Sequence, residues 1–399
     1  MDKKTNNNQN LPSGWRKVKL GEIVNIKMGQ SPSSQFYNSR GEGLPFYQGI
    51  TDFGSKYPNK SVYCTNPIKI AEKGEILFSV RAPVGEINIA IEKSCIGRGI
   101  AALSMKNNNN AFLYYLLKYN TQYFKNISGG TTYEAIGKDQ ILEIEIEIPE
   151  DPNEQKRIAD ILSDFDDKIE VNNKIIKTLE TMAQEIFKEW FNKKSKFKSQ
   201  KSKFEDWEIG YLGDGIYSEI IKPGVKRFEG EKIYLATSDV DRNEIINEKT
   251  KVKYNNRPIR ANMEPVLNSI WFAKMINTYK VLFFFEGNKE DIEKYIISTG
   301  FMGIKALKKM HYYLYLFINS KKFHQIKDTL VQGAVQEAIT NSNVKQINFL
   351  IPPENLLDEF NKKVEPILLR VYKLKKENQT LAAIRNLLLP KLMRGEIRI

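Results

Sequence analysis

Two segments of the chain carry almost the same pattern in the same order. Residues 130–149 read GTTYEAIGKDQILEIEIEIP, and residues 333–352 read GAVQEAITNSNVKQINFLIP. Both begin at a glycine, carry Glu-Ala-Ile at the same offset and end at Ile-Pro, with no gap between them. A repeat with a period of about 200 residues indicates two diverged copies of one structural module.

Shorter matches extend the duplication in both directions. Each copy has a Leu-Gly pair whose leucine lies five positions after a tryptophan. The matched features, in chain order, are Trp15 and Trp207, Tyr47 with Asp52 and Tyr234 with Asp239, and Gly99-Ile100 with Ala102 and Gly303-Ile304 with Ala306. Because all of them occur in the same order, we interpret the whole chain as two copies of the module.

The first part of each copy is predicted to be a β-rich domain. It has short apolar or alternating runs between Gly, Pro, Asn and Ser turns, with helical spacing near residues 112–123 and 312–329, which indicates an α+β fold. After Pro149 and Pro352 the apolar residues instead step by four and three positions, as in the seam of paired helices. The predicted seam residues are Ile158, Leu162, Phe165, Ile169, Asn172, Ile176 and Leu179 in the first copy, and Phe360, Val364, Ile367, Val371, Leu374, Asn378 and Leu381 in the second.

The two apolar stripes most simply bury each other. A chain that leaves one domain along a helix and returns along another predicts an antiparallel coiled coil, with a β-rich globular domain at each end of a pseudo-two-fold dumbbell. The alternative is two ordinary long helices in separate bundles. The predicted boundaries are 1–150 for the first domain, 151–193 for the first helix, 194–203 for a lysine-rich linker, 204–352 for the second domain and 353–399 for the second helix.

The charge balance points to a polyanionic partner. The chain has 61 Lys and Arg against 48 Asp and Glu, a net charge of +13, which favours nucleic acid or an anionic membrane surface. No apolar run reaches the roughly 18 residues of a membrane span, and the first residues have no secretory pattern, so we predict a cytoplasmic protein. Cys64, Cys95, His311 and His324 are too few and too scattered for a zinc site, and are expected to be two buried thiols and two surface imidazoles.

Two phosphate-binding motifs are only partly matched. The glycines around Arg98 have the spacing of a dinucleotide fingerprint, but no acidic residue follows at about 20 positions to hold a ribose. Gly137-Lys138 lacks the earlier glycine and the following Ser or Thr of a P-loop. No catalytic constellation and no metal or cofactor site is predicted in this chain.

The order of these features resembles the specificity subunit of type I restriction-modification enzymes. The resemblance rests on the Trp with Leu-Gly, the Gly-Thr-Thr segment running to Ile-Pro, and Glu154-Gln155-Lys156-Arg157 opening a heptad helix, all in two copies. The closing segment, residues 387–395, is also similar to that family. The second copy departs at Gly333-Ala334-Val335, and Asp358-Glu359 replaces Glu-Gln.

The resemblance implies a non-catalytic subunit that selects where a larger enzyme acts. Its two target-recognition domains would read a bipartite, asymmetric sequence in double-stranded DNA. Its helices would set the distance between these domains and would dock two methyltransferase subunits. Those subunits would use S-adenosylmethionine to methylate adenine N6, and motor-nuclease restriction subunits would join them. The alternative is a stand-alone bipartite DNA-binding regulator or decoy without methyltransferase partners.

Residue chemistry gives candidates for contacts with DNA and for contacts with partner subunits. Arg and Lys can bind guanine, and Gln and Asn can bind adenine, so polar side chains at turns of the β-rich domains are the natural DNA contacts. They are Gln30, Ser31, Arg40, Gln48, Arg81 and Arg98 in the first copy, and Lys226, Arg227, Arg242, Lys274 and Asn277 in the second. Apolar residues beside the helical stripes are expected to favour partner docking, namely Ile161, Ile175, Phe187, Phe191, Leu368, Leu369 and Leu387.

Overall fold

The computed structural model describes residues 11–129, 135–191, 207–332 and 337–399, with the side chains of 127–129 excepted. The chain divides into two compact units: unit 1 is Met1–Glu170 with Asn378–Ile399, and unit 2 is Val171–Glu377. The predicted linker at 194–203, and the Gly-Thr-Thr and Gly-Ala-Val segments, lie outside the described residues. In the described parts of the chain, no helix is both long enough and apolar enough to cross a membrane.

The first copy contains eleven strands and five helices among its described residues. The strands are β1 (Trp15–Lys19), β2 (Val24–Met28), β3 (Tyr37–Asn38), β4 (Leu44–Tyr47), β5 (Tyr63–Cys64), β6 (Ile70–Ala71), β7 (Ile76–Ser79), β8 (Ile87–Ile89), β9 (Ser94–Ile96), β10 (Ile100–Met105) and β11 (Glu145–Pro149). The helices are α1 (Leu20–Ile23), α2 (Asn110–Tyr119), α3 (Thr121–Gly129), α4 (Lys138–Leu142) and the long α5 (Pro152–Phe191).

The second copy follows with twelve strands and five helices in the part described. The strands are β12 (Ile209–Tyr211), β13 (Ser218–Ile220), β14 (Lys232–Leu235), β15 (Val240–Asp241), β16 (Glu244–Ile245), β17 (Lys251–Val252), β18 (Ala261–Met263), β19 (Ser269–Ala273), β20 (Val281–Phe284), β21 (Tyr295–Ser298), β22 (Phe301–Ala306) and β23 (Asn348–Leu350). The helices are α6 (Glu290–Lys294), α7 (His311–Ile318), α8 (Lys321–Val331), α9 (Asn341–Val344) and the long α10 (Glu354–Met393).

Two sheets have the same strand order in both copies. A four-stranded antiparallel sheet has the order β2-β10-β7-β8 in the first copy and β13-β22-β19-β20 in the second. A two-stranded sheet joins the start of each copy to its end, as β1-β11 and β12-β23. A further sheet in each copy contains one parallel pair, β4 with β9 and β14 with β21. The predicted α+β fold is therefore present in both copies.

Hydrogen bonds repeat at the predicted matching positions. The Leu20 backbone N–H donates to Ile144 O at 2.7 Å, and the Leu212 N–H donates to Ile347 O at 3.0 Å. Both leucines are fully buried. The Leu-Gly pair follows each tryptophan because this leucine fills the core directly after the first strand of each copy.

One predicted match between the copies is wrong by three residues. The Val80 N–H donates to Gly99 O, and in the second copy the Lys274 N–H donates to Gly300 O, both at 3.0 Å. Gly99 is thus the counterpart of Gly300, and Ala102 is the counterpart of Gly303. The Gly-Ile and Ala letters aligned by chance, whereas the register is fixed by the hydrogen bonds of β7 and β19.

The long helices contribute to the core of each unit. In unit 1, Ile158 and Leu162 of α5 and Leu392 of α10 belong to the same buried cluster as Trp15 and the helix α2 side chains. Arg157 donates from Nε to Ile399 O at 3.0 Å, and Arg385 pairs with Asp166, so the helices run antiparallel in this unit. In this unit the helices and the β-rich domain therefore share one hydrophobic core.

Unit 2 repeats this arrangement with aromatic side chains. Phe191 near the end of α5 lies 4.7 Å from Phe360 near the start of α10, measured between ring centroids, and Glu180 pairs with Lys375 at 2.9 Å. The helices are therefore antiparallel in this unit too. Phe187 packs on Tyr313 of α7 at 5.2 Å, so the domain covers this face of the helix.

Several residues expected to face partners are instead part of this core. Phe191 and Leu368 are buried, and Phe187, Leu369 and Ile161 are half-buried. Ile175 and Leu387 remain exposed, at 38% and 68%. The prediction was wrong for Phe191 and Leu368 because each helix has a second apolar face, which the β-rich domain covers.

The predicted seam positions are buried or half-buried throughout. The fully buried ones include Leu162, Asn172, Phe360, Val364 and Leu374. Phe165, Ile169, Leu179, Asn378 and Leu381 are half-buried. Ile176 forms a separate buried cluster with Val371 and Leu374, packed by Leu179.

A buried charge connects three helices of unit 1. The Asp166 side chain on α5 is 6% exposed; it accepts a hydrogen bond from Tyr115 Oη on α2 at 2.6 Å and pairs with Arg385 on α10. Burial alone would raise the pKa of Asp166, but the Tyr115 hydrogen bond and the Arg385 charge outweigh it and hold the pKa below 3.8. Asp166 therefore stays ionised and ties the β-rich domain to both long helices.

Replacing Asp166 with asparagine is expected to destabilise the protein by about 3 kcal/mol, because Arg385 would lose its buried counter-charge. Urea denaturation of full-length variants measures the difference, with Asp167→Asn as the matched control. The Asp167 side chain is 64% exposed, so its loss should cost no more than about 0.5 kcal/mol.

The effect of Asp166→Asn should also depend on pH in one direction. A carboxyl group with a lowered folded-state pKa stabilises the fold above its unfolded pKa and loses this contribution as the pH falls through the folded value. The difference between the wild type and Asp166→Asn should therefore shrink below about pH 4. A difference that grows on acidification would contradict the ion-pair assignment.

Candidate nucleic-acid interface

Strand ends bring five of the predicted residues of unit 1 to one edge. The strands β2 and β7 end beside the start of β10, to which both are antiparallel. The parallel strands β4 and β9 end side by side, with the Gly97 N–H donating to Tyr47 O at 2.8 Å. The loops that follow these ends carry Gln30, Ser31, Gln48, Arg81 and Arg98, which we call edge 1.

Backbone contacts hold edge 1 together. The Gln30 N–H donates to Ile96 O at 2.9 Å, and the Arg98 N–H donates to Ser31 Oγ at 3.2 Å. The Gln48 N–H donates to Asp52 Oδ2 at 2.6 Å, which fixes the turn after β4. The side chains of Gln30, Gln48 and Arg98 are left exposed while their backbones are anchored.

Two glycines allow these loops to approach so closely. A Cβ atom on Gly99 would lie 2.2 Å from Gln48 O, and one on Gly97 would lie 3.0 Å from Ser31 Oγ and 3.3 Å from Gln48 Cα. The glycines on both sides of Arg98 are therefore required by loop packing, which explains the fingerprint-like spacing in the sequence.

The arginines of unit 1 differ in what surrounds them. Arg81 and Arg98 are exposed and form no ion pair within the described part of the chain. The backbone of Arg81 also forms an isolated β-bridge with Ala135, which joins edge 1 to the segment that precedes α4. Arg40 lies in a different loop and pairs with Glu42 at 2.9 Å, so it is not part of edge 1.

The corresponding edge of unit 2 is built from different residues. The strand β19 ends beside the start of β22, where Ala273 pairs with Phe301. The strand β13 pairs with the second half of β22, and its last residue, Ile220, pairs with Ile304.

The half-buried Lys274 directly follows β19. The exposed Lys226 and Arg227 lie elsewhere, because the Lys226 N–H donates to Glu264 Oε2 at 3.4 Å and Glu264 pairs at 3.2 Å with Lys232, the first residue of β14. Thr299 precedes Gly300 as Arg98 precedes Gly99, and we call Lys274 and Thr299 edge 2. Burial lowers the pKa of Lys274.

The other two predicted residues of unit 2 lie near the β19–β20 hairpin. The Asn277 N–H donates to Asp328 Oδ1 at 3.2 Å, and the buried Lys327 ammonium donates to Met275 O at 2.6 Å and to Thr278 O at 3.1 Å. Arg242 accepts a hydrogen bond at its carbonyl from the Val281 N–H at 2.7 Å. Its side chain lines a cavity of about 480 Å³ together with Glu180, Asn243, Tyr279, Asn319, Lys321, His324 and Gln325.

One expectation about the titratable side chains is wrong. His311 is half-buried rather than on the surface, and burial lowers its pKa to about 4. His324 is buried, and burial also lowers its pKa to about 4. It lies 4.8 Å from the Tyr279 ring in an edge-on contact, because α8 packs under the hairpin. Cys64 and Cys95 are both buried, as predicted, and burial raises the pKa of Cys95 to about 12. The described residues contain no His, Cys, Asp and Glu group that could hold a metal ion.

Sequence reasoning missed Thr299. Its position becomes clear only when Gly99 is matched with Gly300 through their shared hydrogen bond to β7 and β19. The useful signal in the sequence was the single glycine immediately before an apolar strand in each copy. Because Gly99 was matched with Gly303, Arg98 was not aligned with Thr299.

The chain is similar to known proteins over most of its length. Residues 12–181 match the family described as the type I restriction modification DNA specificity domain. This part of the chain is similar to that family. The predicted resemblance to type I specificity subunits is therefore confirmed.

Individual relatives extend the similarity beyond the matched domain. The putative type I restriction enzyme MjaX specificity subunit of Methanocaldococcus jannaschii is 41% identical over 180 residues, which are 44% of this chain and 42% of that relative. The type I restriction enzyme MjaIX specificity subunit of the same organism is 26% identical over 98% of this chain and 95% of the relative. The crystal structure of the type I restriction-modification S subunit from M. genitalium has a TM-score of 0.61 and 19% identity, covering 96% of this chain and 97% of that one, which supports the fold.

Gly99→Ala should disrupt edge 1, because its Cβ atom would overlap the Gln48 carbonyl oxygen. We expect a loss of about 1–3 kcal/mol in stability, measured by chemical denaturation. The control is Gly49→Ala in the adjacent turn, where the new Cβ meets nothing within 4 Å and the φ angle of −177° is extended. Equal effects from the two changes would show that close approach is not what requires Gly99.

Proposed function

We propose that this chain is the non-catalytic specificity subunit of a type I restriction-modification complex and reads a bipartite, asymmetric DNA site. Unit 1 reads one half-site through edge 1, and unit 2 reads the other through edge 2. The observation that carries the proposal is a repeated strand framework with different side chains at its equivalent loops. Arg98 corresponds to Thr299, and Arg81 corresponds to Met275, since each forms the β-bridge to the Ala of Glu-Ala-Ile.

The chemistry of edge 1 suits the major groove of DNA. Arginine can donate two hydrogen bonds to guanine, and glutamine can bind adenine through both its donor and its acceptor. Anchored backbones with exposed side chains reduce the conformational freedom lost on binding, which favours affinity. The net charge of +13 adds attraction to phosphates that does not depend on base sequence.

The long helices offer an exposed apolar stripe to partner subunits. Val171, Ile175 and Met182 of α5 are 49%, 38% and 49% exposed, and their spacing places them on one face of the helix. Ile384 and Leu387 of α10 are 40% and 68% exposed. Exposed apolar residues at helical spacing favour protein docking, so we propose these faces as contacts for two methyltransferase subunits. Restriction subunits would join that complex, and S-adenosylmethionine would be bound by the methyltransferase subunits.

The decisive experiment is co-expression with candidate methyltransferase subunits, followed by mapping of adenine methylation across a genome. The proposal expects a split, asymmetric motif that is lost when this chain is omitted. A folded chain that binds a specific DNA site but directs no methylation would favour the stand-alone regulator. A folded chain that neither binds specific DNA nor joins a complex would contradict both functions.

Arg98→Ala should relax recognition in only one half of the motif. Loss of an arginine contact to a guanine is expected to weaken binding by about 5- to 150-fold at that half-site, while the other half keeps its sequence. Arg40→Ala is the matched control, because Arg40 lies outside edge 1 and pairs with Glu42. Uniform weakening at both half-sites would assign Arg98 to the phosphate backbone instead.

The double change Val171→Glu with Met182→Glu should weaken capture of the methyltransferase subunits by at least about tenfold, because it places charge in an apolar contact. DNA affinity of the full chain should stay unchanged. Lys177→Glu on an exposed part of the same helix controls for the change in charge. Unchanged capture by the double variant would remove this stripe from the proposed docking surface.

A further inference from the structure

Both copies carry a short apolar tip that neither edge includes. Pro67-Ile68-Lys69 precedes β6 in the first copy, and Pro258-Ile259-Arg260 precedes β18 in the second. Ile68 is 49% exposed and Ile259 is 97% exposed. The same order of proline, isoleucine and cation therefore recurs at the same place in the repeated fold.

Each tip lies beside the corresponding edge. Strand β6 is antiparallel to β9, and β18 is antiparallel to β21, so each tip meets the end of the strand that leads to the edge. The Lys69 carbonyl accepts a hydrogen bond from the Ile96 N–H at 3.0 Å, and the Ile96 carbonyl accepts one from Gln30 of edge 1. The Arg260 carbonyl accepts one from the N–H of Thr299 of edge 2 at 2.8 Å.

The exposure of Ile259 is built into its loop. The Arg257 guanidinium lies 4.3 Å above the Tyr254 ring and donates from Nε to Ala261 O at 3.1 Å and from Nη1 to Tyr254 O. The Ala261 N–H donates to Pro258 O at 2.8 Å. Hydrogen bonds on both sides of Ile259 thus hold its side chain in solvent. Exposure of this apolar side chain to water is unfavourable, and a binding partner that covered it would remove that unfavourable free energy.

We propose that Ile68 and Ile259 are specificity-determining residues that contact thymine 5-methyl groups in the half-sites read by unit 1 and unit 2. This inference rests on the proposed DNA-reading function. The thymine methyl is the apolar group that the major groove displays, and apolar side chains distinguish it from the other base edges. Lys69 and Arg260 would bind the neighbouring phosphates as the isoleucines reach the bases.

Charge favours DNA over a protein partner for these tips. Lys69 and Arg260 are exposed and make no ion pair to any residue the structure describes. A cation next to an exposed apolar residue, beside loops with Arg, Lys and Gln, suits DNA, which presents charged phosphates and the thymine methyl groups of its major groove. The shared tripeptide also fits a contact needed in both half-sites, whereas the edges themselves differ.

The test uses the full chain and a labelled duplex that carries both half-sites of the mapped motif. Fluorescence anisotropy measures the affinity of the wild type, Ile259→Ala, Ile259→Val and the control Ile209→Ala, on thymine duplexes and on duplexes with single thymine-to-deoxyuridine changes. Ile209 is 59% exposed on β12, outside edge 2. Because Ile209 and Ile259 are both exposed, equal melting temperatures of the variants are expected and confirm that they fold.

Ile259→Ala should weaken binding roughly 3- to 10-fold, with Ile259→Val and Ile209→Ala close to wild type. One deoxyuridine change in the unit 2 half-site should weaken wild-type binding by the same factor. On that duplex, Ile259→Ala should weaken binding no further. Ile68→Ala should behave in the same way with a thymine of the other half-site.

Three results would overturn the inference while leaving the proposed function intact. They are unchanged affinity of Ile259→Ala, additive losses with every deoxyuridine, and a mapped half-site that lacks any A·T pair. Loss of methyltransferase capture with intact DNA affinity would instead assign the tips to a protein contact. If the wild-type chain shows no site-specific binding, the proposed function fails together with the inference.

Discussion

The fold depends on apolar side chains that the long helices insert into each β-rich domain. In unit 1, Ile158 and Leu162 pack in the core that contains Trp15, and in unit 2, Phe191 and Phe360 pack with Tyr313. Neither helix can be removed from its domain without opening that core. The loops of each edge are therefore held in a fixed relation to the parts of the helices in the same unit.

Buried charges add directional constraints to this packing. Apolar contacts tolerate sliding of one helix along another, whereas the Asp166 carboxylate must meet both Tyr115 and Arg385. Unit 2 has a half-buried contact of this kind, in which the Lys375 ammonium of α10 donates to Glu180 of α5 and to the Asn243 carbonyl. A helix that slipped by one turn would leave these charges without partners, so the pairs set the register between helix and domain.

The sequence predicted the periodic and local features well. The four-three stepping of apolar residues identified both long helices, and the repeated Trp and Leu-Gly identified the start of each domain. It could not assign the faces of those helices. Phe191, Leu368 and Ile175 all lie off the seam, yet the domain covers the first two and leaves Ile175 exposed. Periodicity defines an angle around a helix, and what covers that angle depends on residues far away in sequence.

The edges were predicted less completely, since a turn residue has no periodic pattern. Gln30, Gln48, Arg81 and Arg98 were brought together only by four strand ends and two glycine contacts. The buried and the exposed positions of the repeat also differ in how they can diverge. Leu77 opposite Ala102 is replaced by Trp271 opposite Gly303, where a Cβ atom would lie 2.5 Å from the indole. Such a core exchange needs a compensating partner.

Loop positions face no such requirement. Arg98 and Thr299 use backbone atoms to hold their turns, so the side chain at either position can change while the strand register stays the same. Arg81 and Met275 are a second example, because the β-bridge to Ala135 or Ala338 involves only the backbone. A duplicated fold built in this way can present two different chemical surfaces from one framework. That separation between a constrained core and unconstrained edges would allow one repeated domain to read two unlike half-sites, as the proposed function requires.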